Sequence, residues 1–158
     1  MARSLALCMV GLTSVALMAC APAAPDTAAD VEAVKQVTAM EAQSVNAGDV
    51  DGHLSTLTAD AKALPPNEPM LTGTDAIRGW IEGLHQQFTT NLVYSESDVV
   101  VSGDLAVERF TGTLTFTPKG GGVPMVEDLK GVHVFQRQAD GSWKITIDVW
   151  NSSAPVGM

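Results

Sequence analysis

Along residues 31–47, VEAVKQVTAMEAQSVNA, the positions Val34, Thr38, Glu41 and Val45 recur at i, i+4, i+7 and i+11, with Val31 and Val37 beside them. That spacing draws one stripe along one face of a helix. Asp30 is placed to cap its start and Gly48 to end it. Asp49 can cap a second, short helix carrying Leu54 and Leu57. Residues 61–64 read as a brief strand, stopped by Pro65-Pro66, and PNEPMLTG after it is a proline-bounded loop. Thr74 is a candidate cap for a third helix over 75–88, where Ile77, Ile81, Leu84 and Phe88 form a stripe with Trp80 adjoining.

From there the period changes from 3.6 to two, and strands are predicted over 92–101, 104–117, 126–138 and 143–151. Gly103-Asp104 makes the first turn and the glycine-rich stretch from Pro118 to Pro124 a looser one. Asp140-Gly141 predicts a two-residue type I′ hairpin. In the last strand Trp143, Ile145, Ile147 and Val149 alternate with Lys144, Thr146, Asp148 and Trp150. The first set reads as a core face. The second is either wet or lines a cavity in which Asp148 has a role. Helices followed by an antiparallel meander give an α+β fold in one domain, without internal repeats.

The hairpin also predicts a register. With Asp140 and Gly141 as the loop, Ala139 faces Ser142, Phe135 faces Thr146, and His133 faces Asp148. Opposed residues share a face, so an imidazole and a carboxylate meet beside Phe135 and Trp150. Such a pair can accept a proton, bind an anion-sensitive hydrogen-bonding group or form half of a metal site. It can equally be a structural pair on a wet face or in a dimer interface. Glu41 is an acid on the inward stripe of the first helix, unless a half-turn difference leaves it solvated. Glu108 shares its face with Phe110, Leu114 and Phe116, and Arg109 takes the opposite one. His53, on the short helix, reads as surface.

Composition narrows the function. The chain has 158 residues, with 18 acidic against 9 basic and a formal charge of −9. Nucleic acid and anionic headgroups both require a basic patch, so neither is expected as a partner. The three histidines lack HxH or HExxH spacing, and no GxSxG, phosphate loop or dinucleotide fingerprint occurs. No metal and no cofactor is therefore expected.

The N-terminus reads MARSLALCMVGLTSVALMAC, with Arg3 ahead of an apolar run from Leu5 to Ala19 that is short for a bilayer span. Its end, Leu17-Met18-Ala19-Cys20, resembles a bacterial lipobox. The resemblance implies cleavage before Cys20 and lipid attachment to it, with an ordinary signal peptide as the alternative. Residues 1–19 are then the signal, 20–30 a Pro/Ala-rich disordered tether, and 31–155 the folded domain. Cys8 leaves with the signal, so Cys20 has no partner for a disulfide. Ala21 after the cysteine resembles the signal for the outer membrane. The expected location is its periplasmic side, or the soluble periplasm if no lipid is added.

Four blocks in order, VNAGDVDGHLSTLTADA (45–61), PPNEPMLTGTDAIRGW (65–80), VSGDLAVERFTG (101–112) and DGSWKITIDVWNSSAP (140–155), resemble the SnoaL-like domains of the nuclear-transport-factor-2-like superfamily. The resemblance covers about residues 31–155. It implies a cone, a bent antiparallel sheet wrapped around the N-terminal helices and enclosing a pocket, and commonly a homodimer. In the ketosteroid isomerase branch of that superfamily, the catalytic base would fall on Pro65, the oxyanion-hole tyrosine on Glu41, the oxyanion-hole acid on His133 and a pocket tryptophan on Trp150. Pro65 accepts no proton, so the pocket is implied without the isomerase chemistry. The expected site thus has His133 and Asp148 as candidate catalytic residues, and Glu41, Trp80, Glu108, Phe135, Thr146 and Trp150 lining a pocket for a small apolar molecule. Activity there would be proton transfer of an isomerase, cyclase or dehydratase type. The alternative is a non-enzymatic dimerisation or assembly module.

Overall fold

The computed structural model describes residues 27–154. The expected signal segment 1–19, Cys20 and residues 21–26 of the expected tether lie outside the described residues, and residues 27–30, expected as disordered tether, are helical. The elements run in the order α1 (Thr27–Ala47), α2 (Val50–Ser55), β1 (Leu57–Leu64), β2 (Leu71–Thr72), α3 (Thr74–Gln87), β3 (Phe88–Ser102), β4 (Leu105–Pro118), β5 (Met125–Arg137) and β6 (Trp143–Ser152). One six-stranded sheet has the order β2-β1-β6-β5-β4-β3. It is a mixed α+β fold in which the curved, open sheet packs on the N-terminal helices.

β1 is longer than the period-two pattern indicates and runs parallel to β6, the one parallel pair in an otherwise antiparallel sheet. Helix α1 also starts earlier than expected, at Thr27. Asp30 is not its cap. It lies in the first turn, and both its carboxylate oxygens accept from Arg137 at 2.7 and 2.6 Å. Arg137 stacks over the Trp143 ring at 4.3 Å, and Trp143 Nε1 donates to Asp30 at 3.3 Å. The start of α1 is thereby fastened to the β5–β6 hairpin. Thr74 likewise lies inside α3 and makes no cap; Gly73 precedes the helix at φ 81°, where no side chain caps it.

The hairpin differs from expectation in an instructive way. Arg137 pairs with Trp143, so five residues, not two, connect the strands. Gly141 takes φ 86° there and donates to the Gln138 carbonyl. This shifts the ladder by one, and Phe135 pairs with Ile145, not with Thr146. Thr146 is then left over as a bulge, and Val134 pairs with Ile147. A bulge reverses the alternation of the strand that carries it. Trp143 and Ile145 face the core, as expected, but after Thr146 the inward positions are Asp148 and Trp150, while Val149 turns outward and is exposed. Ile147 and Val149 are therefore not part of the core face.

The core gathers Val34 from α1, Leu57, Ala61 and Ala63 from β1, Ile77 and Ile81 from α3, and Ala106, Phe135, Trp143 and Ile145 from the sheet. Full burial of side chains such as Phe135 and Ile145 contributes roughly 1.5–3 kcal/mol each. Two strands carry glycine where the backbone has no room for a side chain. A methyl group on Gly131 would collide with the Phe110 ring and the Val149 carbonyl, and one on Gly112 would lie 2.6 Å from the Val93 carbonyl oxygen. A bulge in β3 at Ser95 falls beside Gly112, between the paired residues Tyr94 and Glu96.

Candidate functional site

Three adjacent strands present one polar side chain each at the same level of the concave face. Glu108 on β4 pairs with His133 on β5, and His133 pairs with Asp148 on β6. Glu41 reaches the same point from α1, because the inward stripe of that helix places Val34, Thr38 and Glu41 against the sheet. Around them are apolar rings. Phe110 lies 4.4 Å from the His133 ring at 34°, and Tyr94 and Phe135 meet it edge-on at 5.9 and 5.8 Å.

The hydrogen bonds fix the roles of these groups. Glu108, fully buried, accepts from the hydroxyls of Thr38 and Ser97. Its Oε2 also lies 3.0 Å from His133 Nδ1. Burial pushes the Glu108 carboxyl up, but the hydrogen bonds from His133, Ser97 and Thr38 outweigh it and hold the group below its ordinary range. An ionised carboxylate only accepts, so Nδ1 of His133 carries the hydrogen. Nε2 then faces Asp148 Oδ1 at 3.2 Å and Glu41 Oε2 at 3.6 Å. Neither oxygen is aligned with it as a hydrogen-bond partner. Burial opposes the charge on His133, yet the Glu41 and Asp148 carboxylates and the Glu108 contact overcome it and raise its pKa well above the usual histidine value. Glu41 accepts from the Tyr94 hydroxyl at 2.9 Å. Burial raises its pKa to about 7 against the opposing pull of His133.

A cavity of about 70 Å³ opens beside this cluster. Glu41 and Asp148 border it, with Tyr94, Thr90, His53 and His85 as its other polar residues. The remaining wall is apolar: Val45, Ala63, Ile77, Ile81, Leu84, Phe110, Leu114 and Leu129, with Trp80 and Trp150. The two tryptophans meet edge to face at 5.8 Å and 67°. Both are only partly buried.

Of the expected site residues, His133, Asp148, Glu41 and Glu108 converge, and Trp80 and Trp150 stand on the cavity wall. Four expectations need correction. His133 is wholly enclosed and does not itself border the cavity; Glu41 and Asp148 stand between. Glu108 and Phe135 sit behind His133, not on the wall. Thr146, displaced by the bulge, does not reach the cavity. His53 is not a surface residue either: it is 7% exposed, lines the cavity, and burial depresses its pKa. Tyr94, Thr38 and Ser97 are participants that the linear pattern did not single out. Tyr94 is the only tyrosine in the chain, which was a usable signal. The β3 bulge hid its partners, because it puts Tyr94 and Ser97, three residues apart, on the same face.

The profile of the SnoaL-like domain family matches residues 37–146. No curated protein matches the chain. Among solved structures, a nuclear transport factor 2-like superfamily protein from Salmonella enterica is similar with a TM-score of 0.75 at 14% identity, over 84% of this chain and 96% of that one. A ketosteroid isomerase-like protein from Erwinia carotovora atroseptica gives 0.71 at 20% identity, over 80% and 98%. A provisionally named dehydratase of the NTF2-like family from Streptomyces avermitilis gives 0.72 at 20% identity, over 84% and 100%. At these identities the likeness establishes the fold.

Proposed function

The chain belongs to the SnoaL-like domain family, and we propose that it binds a small, mostly apolar molecule in the cavity beneath the bent sheet and moves a proton on it through the Glu41 and Asp148 carboxyls. One observation carries this reading: two carboxyl groups border a cavity whose wall is otherwise mostly apolar. That is the composition of a small-molecule site, apolar for affinity with a few polar groups for orientation. A carboxylate within reach of a C–H or O–H acid is a general base, and the same group protonated is a general acid. His133, enclosed behind them, positions the two carboxyls and does not touch the ligand. The reaction class is isomerase-, cyclase- or dehydratase-type proton transfer, which agrees with the names of two structural neighbours.

A cavity of about 70 Å³ holds only a few atoms. An apolar cavity that accepts benzene is nearer 150 Å³. A ring-sized ligand would enter by parting Trp80 and Trp150. The test is a thermal-shift screen of apolar ketones, enones and alcohols, in the presence of a chelator, with tryptophan fluorescence as the second readout. A ligand at 100 times its Kd adds about 2.7 kcal/mol of stability. Binding that disappears in Trp150→Ala supports the reading. Failure of every compound to move both melting and fluorescence would remove it.

A second reading, a dimerisation or assembly module, is favoured by the convex face. Val100, Val107, Val134 and Ile147 form one paired row across four strands there, with Val149 beside it. Val100 is 64% exposed and Val107 43%. A second copy of the chain is the occupant in this reading, and the two readings are compatible.

The anchoring belongs to the same proposal. Leu17-Met18-Ala19-Cys20 supports a domain tethered by lipid at Cys20 on the periplasmic side of the outer membrane. Mass spectrometry of the mature N-terminus decides it: an acylated Cys20 is expected, and a chain starting at Ala21 or Pro22 without lipid would refute it.

A further inference from the structure

We propose that Glu41, His133 and Asp148 together bind one divalent transition-metal ion, with zinc the best fit. The three donors come from α1, β5 and β6, and one ligating atom of each lies within 4.8 Å of the others. Zinc bonds to nitrogen and oxygen are about 2.0–2.2 Å, so the edges of a tetrahedral shell are about 3.3–3.6 Å. The two edges from His133 Nε2, 3.2 Å to Asp148 and 3.6 Å to Glu41, already have that length. Only the edge between the carboxylates must shorten. Asp148 can supply that movement, because its side chain is 14% exposed whereas those of His133 and Glu41 are enclosed.

The second argument is the state of Nε2. The hydrogen on Nδ1 is committed to Glu108, so in the neutral ring Nε2 presents a lone pair. It is fully buried, has no hydrogen-bond partner, and looks at two carboxylate oxygens. Lone pair against lone pair is repulsive. The arrangement requires something electrophilic between them, either a proton or a cation.

The donor set itself favours a cation: two carboxyl groups and one imidazole nitrogen converge in a poorly solvated space. The outer partner is present too. A metal-bound histidine commonly donates its other N–H to a carboxylate that is itself hydrogen-bonded, and Glu108, held by Thr38 and Ser97, stands in that position. One imidazole with two carboxylates suits zinc or another borderline first-row ion, not a soft ion that prefers sulfur. Glu41 and Asp148 border the cavity, which provides both a path for the ion and an open fourth position.

The experiment uses the full chain without a polyhistidine tag, stripped with chelator and titrated with zinc by calorimetry. One ion per chain at micromolar affinity or tighter is expected. Asp148→Asn and Glu41→Gln should each weaken it by at least about tenfold, and Glu108→Gln by about 10–100-fold. The exposed Glu127→Gln should leave it unchanged. Cobalt(II) in place of zinc should give the intense visible bands of a tetrahedral site. Circular dichroism on each variant separates lost binding from lost fold. Absence of saturable binding, or binding that survives both Asp148→Asn and Glu41→Gln in folded protein, overturns the proposal. That failure leaves the small-molecule reading intact, since its screen is run with chelator present.

Discussion

His133 Nδ1 and Glu108 Oε2 lie 3.0 Å apart on neighbouring strands, and neither side chain has any exposure to solvent. Removing one partner of such a pair leaves the other charged or polar group buried alone. Glu108→Ala should therefore destabilise the fold by roughly 3–5 kcal/mol, the usual cost of breaking a buried ion pair. Glu108→Gln keeps the shape and an acceptor, so its cost should be smaller, about 1–3 kcal/mol. Urea denaturation of the three proteins measures the difference. Equal stability of all three would mean that His133 does not depend on Glu108.

Gly131 supports the site from behind. Its missing side chain leaves room for the Phe110 ring, which in turn lies against His133. Gly131→Ala should cost about 1–3 kcal/mol, the range for overpacking a filled core. It should also move the His133 ring resonances in an NMR spectrum, because Phe110 must shift. An alanine variant with unchanged melting and spectrum would contradict the close approach.

Asp30 and Arg137 give a pH signature. The hydrogen bond from Arg137, against a smaller opposing effect of burial, lowers the Asp30 pKa. A carboxyl with a lowered folded pKa contributes stability that is present above its unfolded value, about 3.9, and is lost as pH falls through the folded value. The melting temperature of wild type relative to Asp30→Asn should therefore be flat above about pH 5 and shrink below pH 4. A difference that is constant down to pH 2 would show that the pair is not ionic.

The convex row predicts the assembly state. Val107→Lys puts a charge in the middle of Val100, Val107 and Val134 without touching the concave side. If a second copy covers that face, light scattering should show a dimer for wild type and a monomer for the variant, with little change in the far-ultraviolet spectrum. A wild-type monomer at high concentration would argue that the face is free.

Much of this arrangement was legible in the chain itself. The stripe Val34, Thr38, Glu41 dictates which side of α1 meets the sheet, and parity in β4 dictates that Glu108 and Arg109 take opposite faces, while the fold decides that Glu108 is the inward one; the periods hold because they are local properties of the backbone. The pairing of His133 with Asp148 is a subtler case. The expected two-residue turn is wrong by one position, and the bulge at Thr146 restores that one position, so the pair is right while Phe135 with Thr146 is not. Turn length and bulges are settled by how β6 fits between β1 and β5, which no short window of sequence contains. The bulge also decides that Asp148 and Trp150 share the inner face with Trp143 and Ile145. Tertiary structure alone brought Tyr94 to Glu41, Thr38 to Glu108 and His53 to the cavity, because these contacts join elements far apart in the chain, and the β3 bulge brought Ser97 to Glu108. The sequence by itself determined the elements and the polar residues they turn inward; the curvature of the sheet decided that those residues meet at one point.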